Sequence, residues 1–176
     1  MFLEDVDNDL AQAWTIILDF CSIINFAVDS ELRISTETFL DTMASVTYRL
    51  LDMHFEAGSK DEVVRLGLIA FLCSVFLQWK HLGISYSHFT SMFRNCLLEM
   101  IPDRIAPEFM IWLLIVGAVS VFDERDDSWL KPLLRAYIDL RGIDEWNEVQ
   151  ELLKQFLWIG LVYDKPGKRV FESAVA

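Results

Sequence analysis

The chain has 176 residues, of which 53% are hydrophobic and 13% aromatic, with only seven glycines and four prolines. That composition excludes a disordered segment and is enough for one domain with a substantial core. The formal net charge of −12 gives a surface that repels phosphate backbones, which argues against direct nucleic-acid binding by this segment.

The first predicted helix runs from about Asn8 to Val28. Leu10, Trp14, Ile17, Cys21, Ile24 and Val28 form one stripe, and the acidic residues before it suit the positive end of the helix dipole. Its lead-in, MFLEDVDNDL, is acidic where a secretory signal needs basic residues, so an intracellular chain is expected. A second helix is predicted from about Ser35 to Ala57, with Gly58 ending it. Ser59 and Glu62 make a Ser-x-x-Glu capping box for a third, which ends near Trp79.

That third helix carries the apolar run Leu66–Leu77, and a fifth carries Phe109–Phe122. Neither run contains a charge. Both are shorter than the roughly 20 residues a transmembrane helix needs, and they read as helices buried in a core. Between them a fourth helix begins around Ser87 and is stopped by Pro102, and Pro107 fits the first turn of the fifth. Gly117 reads as a point of close helix–helix approach.

A sixth helix, capped by Asp127 or Ser128, carries the stripe Trp129, Leu130, Leu133, Leu134, Tyr137 and Ile138, and stops at Gly142. Asp144 caps a seventh, with Trp146, Val149, Leu153, Phe156 and Gly160 on one side. Trp158–Tyr163 is the one moderately strand-like stretch. Lys165-Pro166-Gly167-Lys168 reads as a tight turn, so that Val170 and Phe171 fold back over the core. The expectation is a single all-α domain over residues 1–176, a compact multi-helix fold with two central buried helices.

No residue stands out as catalytic, cofactor-binding or metal-binding. Cys21, Cys73 and Cys96 are widely spaced in apolar settings and read as buried thiols of a reducing compartment. His54, His81 and His88 lack a metalloprotease spacing and read as surface or interhelical residues. The acidic loop Asp123–Asp127 lacks the alternation, central glycine and terminal glutamate of a calcium loop, and reads as a solvated lead-in to a helix. Gly167-Lys168 is only a fragment of a phosphate loop. Six tryptophans and thirteen phenylalanines read as core filling, with an aromatic-lined cavity as the alternative. Lys165, Lys168 and Arg169 form a basic spot that reads as an intramolecular or partner contact.

Three segments carry a family resemblance: Arg65–Trp79, Pro107–Phe122 and Phe156–Glu172. In order and spacing they resemble the regulatory domain of fungal-specific transcription factors, the helical region that follows a binuclear zinc-cluster DNA-binding domain. Phe156-Leu-Trp-Ile followed by Asp164-Lys-Pro-Gly-Lys-Arg is the more telling part. The resemblance implies a non-catalytic, nuclear, all-α module that regulates transcription through intramolecular, protein-partner or small-molecule contacts, including self-association. It implies no membrane and no cofactor. Because no Cys-x-x-Cys occurs in the chain, zinc and direct DNA binding do not carry over. The other classes in view are a helical adaptor unrelated to transcription and a small-molecule sensor with an interhelical aromatic pocket.

Overall fold

The computed structural model describes residues 5–30, 35–77, 86–100 and 104–176. These form eight α-helices: α1 (Asn8–Asp29), α2 (Thr36–Asp52), α3 (Lys60–Val75), α4 (Ser87–Glu99), α5 (Pro107–Ser120), α6 (Asp127–Arg141), α7 (Trp146–Leu153) and α8 (Gly160–Val175). A 3-10 turn, Glu124–Asp126, leads into α6. The described residues contain no strand. α3 ends at Val75, short of the expected Trp79; Trp79, Pro102 and His81 themselves lie outside the described residues.

α5 is the axis of the fold. Every residue from Phe109 to Gly117 is buried, and α3, α6, α7 and α8 all pack against it. α3 is the second central helix, buried from Glu62 to Cys73. The absence of charge has this physical cause: over Leu66–Cys73 and Phe109–Gly117 no side of either helix meets water. The two helices approach closely at Gly67. A Cβ on Gly67 would run into the Leu113 side chain and lie 3.2 Å from the Trp112 ring. Gly117 instead makes room for the Phe122 and Phe93 rings, which stack with centroids 5.4 Å apart.

Several local expectations are corrected. α2 ends at Asp52 rather than Ala57, and Arg65 donates to the carbonyl of Leu50 at 3.2 Å. Ser59 caps α3 by accepting from Glu62 N–H. Glu62, however, does not complete the box, because both its oxygens are taken by Arg65 at 2.8 and 2.7 Å in a buried pair. The cap ahead of α6 is Asp123, which forms a capping box with Asp126, rather than Asp127 or Ser128. Asp144 does not cap α7, which begins at Trp146 with no side-chain cap bond. Phe156 and Gly160 lie beyond its end.

The largest correction concerns the C-terminal segment. Neither a strand at Trp158–Tyr163 nor a turn at Lys165–Lys168 exists; α8 runs unbroken through Pro166 and Gly167. Packing explains why. Gly167 is buried where a Cβ would lie 3.0 Å from Trp146 Cη2 and 3.2 Å from Trp158 Cη2, so this glycine serves close contact rather than chain reversal. Phe171, one helical turn on, is buried against Trp146 with ring centroids 6.0 Å apart.

The irregular run before α8 is itself buried at Leu157, Trp158 and Ile159. A buried loop must find partners for its backbone polar groups. Here side chains supply them. Trp112 Nε1 donates to Leu157 O at 2.8 Å, Asn25 Nδ2 donates to Trp158 O at 2.7 Å, and Asn25 Oδ1 accepts from Gly160 N–H at 3.2 Å. These bonds tie α1 and α5 to the start of α8. α1 is the one described helix long and apolar enough to cross a membrane by length and composition; in this fold its Leu10, Trp14, Ile17 and Cys21 face is core.

Candidate functional site

A cleft of about 740 Å³ opens where α3, α5, α6 and α8 meet. The last turn of α5 forms its floor through Ala118 and Val119, the only half-buried residues of that helix beyond its first turn. Periodicity alone gave no reason to expect this opening in a run that looked buried throughout. Leu130 of α6 adds to the apolar surface. From α8 the cleft receives Val162, Pro166, Arg169 and Ser173. Their spacing of four, three and four residues puts them on one face of a helix. That stripe was hidden at the sequence level, because a turn at Pro166-Gly167 would have broken the helical phase.

The charged rim is mostly self-paired. Asp123 accepts from Arg125 Nη2 at 2.6 Å, and Asp127 pairs with Lys131 at 2.6 Å. Asp126, beneath them, is buried and accepts from Trp129 Nε1 at 3.0 Å and from Asp123 N–H at 3.2 Å. The acidic loop is therefore a helix-entry device, and its three aspartates are committed to neighbours. Glu124 and Arg169, which line the cleft from the α6 lead-in and from α8, form no ion pair among the described residues.

The basic spot divides in the structure. Arg169 turns toward the cleft, whereas Lys165 and Lys168 face solvent, the latter 3.8 Å from Glu172. The two described histidines do not line the cleft: His54 and His88 are exposed, and His54 Nδ1 sits 2.8 Å from Asp52 O. Among the described residues no group of three His, Cys, Asp or Glu side chains could hold a metal ion.

Cys73 and Ser74, on the α3 side of the cleft, are quiescent. Cys73 borders it, and burial pushes its thiol pKa well up, disfavouring the thiolate that reacts. Burial pushes Cys21 up to about 12 and Cys96 up to about 11. Ser74 is hydrogen-bonded to the hydroxyl of buried Tyr163, whose pKa burial also raises. Neither is paired with a base that would activate it.

Aromatic side chains make up much of the core. Trp14, Phe71, Phe109 and Tyr163 link into one ring network with Trp112 near its centre. Among the described residues Phe122 is the only aromatic one on the cleft wall. Comparison of the chain with protein families, with curated proteins and with solved structures finds no match.

Proposed function

We propose that this chain is a non-catalytic regulatory domain that acts by binding, with the α5–α6–α8 cleft as its contact site. The observation carrying this reading is the character of that cleft: an apolar floor, a charged rim and, among the described residues, no activated nucleophile or acid–base pair. Apolar concavities with a few convergent polar groups are the usual form of a binding site. Transcription regulation in a fungal nucleus is the specific form we propose, on the resemblance of the Arg65, Pro107 and Phe156 segments. The experiment is a reporter assay with the domain fused to a heterologous DNA-binding domain. Output should change relative to the DNA-binding domain alone, and Val119→Arg, which fills the cleft floor, should abolish the change while the helical circular dichroism signal persists. An inert fusion would overturn the reading.

A second reading, a protein adaptor without a role in transcription, draws on the α1–α2 surface. There Phe26, toward the end of α1, and Tyr48 and Leu51, toward the end of α2, are 63%, 76% and 55% exposed, which leaves apolar surface at both ends of the helix pair. An inert reporter fusion together with concentration-dependent self-association would favour it.

A further inference from the structure

We infer that the cleft is a docking groove for a short amphipathic helix of a partner protein, one carrying a basic residue toward Glu124 and an acidic residue toward Arg169. The inference rests on the binding role proposed above and specifies its partner. Three observations carry it.

The first is shape. The α8 stripe from Val162 to Ser173 extends about 16 Å at about 1.5 Å per residue, which matches about three turns of a partner helix. Further along, α6 and α8 are joined by Arg135 Nη1 donating to Val175 O at 2.8 Å. That bond lies just beyond Ser173, the last α8 residue on the groove wall.

The second is surface chemistry. Val119, Leu130, Pro166 and Val170 line the groove and offer an apolar track of the kind that receives one face of an amphipathic helix. Pro166 adds a polar feature to that track. It has no N–H, so the ordinary helical bond to the carbonyl of Val162, four residues earlier and also on the groove wall, cannot form.

The third is charge. Asp123 and Asp127 are neutralised by Arg125 and Lys131, which leaves Glu124 and Arg169 as the two rim charges without an ion-pair partner among the described residues. They have opposite signs and sit on different elements. A partner helix with one cation and one anion flanking its apolar face would satisfy both, whereas a uniformly charged partner would satisfy one and repel the other.

The test uses three synthetic helical peptides with a common leucine face. One carries a lysine and a glutamate at the flanks, one the lysine with glutamine replacing glutamate, and one the glutamate with glutamine replacing lysine. Binding to the full chain is read by fluorescence anisotropy, with Glu124→Gln and Arg169→Gln as variants; both positions are exposed, and unchanged melting temperatures verify their fold. The dipolar peptide should bind most tightly. Arg169→Gln should weaken it and the glutamate peptide by about three- to fivefold while sparing the lysine peptide, and Glu124→Gln should do the converse. Equal binding of all three peptides to all three proteins would overturn the inference, as would no binding of any.

Sedimentation showing a dimer broken by Val119→Arg would also overturn it, by making a second copy the occupant. If no peptide binds yet Val119→Arg still abolishes reporter output, the regulatory reading survives and only the helix partner is lost.

Discussion

Val116 lies on α5 with no exposed surface, and the helix around it has no polar side to turn toward. Val116→Asp would place a carboxylate among apolar side chains with no partner, a cost on the order of several kcal/mol against an ordinary domain stability of about 5–15 kcal/mol. The variant is expected to lose its cooperative thermal transition or to melt far below the parent, as read by circular dichroism. A second residue-scale consequence follows from the thiols. Burial raises Cys96 to about 11 and Cys21 to about 12 from an ordinary 9.0. The folded state thus holds these protons more tightly than the unfolded chain does. The stability linked to them is complete below about pH 9 and is lost as pH rises toward 11–12. Melting temperature should fall steadily above pH 9, and Cys21→Ala should make that decline shallower while lowering the melting point at neutral pH. An unchanged pH slope in the variant would show that other groups drive alkaline unfolding.

At the scale of the element, α8 carries the sharpest test. As a helix packed through Gly167 and Phe171, it is an integral wall of the core. Truncation after Asp164 removes Phe171, and loss of a large buried aromatic alone costs about 3–5 kcal/mol. The truncated chain should be unfolded or markedly less stable in urea titration. Gly167→Val should destabilise by about 1–3 kcal/mol through collision with the Trp146 and Trp158 rings, whereas at an exposed turn it would leave the Trp fluorescence environment unaltered.

Pro166-Gly167 also marks where local sequence signals stopped being informative. The dipeptide is a strong turn former in isolation, and tertiary packing overrides that preference because two indole rings demand a residue without a side chain at this point on a helix. The buried axis was legible for the opposite reason: a charge-free stretch such as Phe109–Gly117 has one stable environment, so composition and burial agree there. Gly142 was legible as a stop because its left-handed backbone, φ 62°, is what glycine at a helix end accommodates. The cleft was not legible. It is built from Val119, Leu130 and Arg169, which are far apart in the chain, and no single stretch records how four helices splay.

Over the whole molecule, charge decides what the domain can approach. The net charge of −12 sets a repulsive field toward any polyanion, and screening at physiological ionic strength, with a Debye length of about 8 Å, weakens that field without reversing it. A nucleic-acid binder overcomes such a field with a local basic stripe whose lysines and arginines displace counterions from phosphates. The C-terminal basic residues do not supply one. Arg169 is turned into the cleft, Lys168 lies within reach of Glu172, and the acidic rim of Asp123, Glu124 and Asp127 borders the same region. The domain is therefore expected to leave duplex DNA unbound at physiological salt, with no anisotropy change for a labelled duplex up to tens of micromolar protein. Association at micromolar concentration that weakens steeply as salt is raised would show phosphate contacts that this charge distribution does not provide. The regulatory role would then include direct contact with DNA, in place of action through a protein held in the cleft.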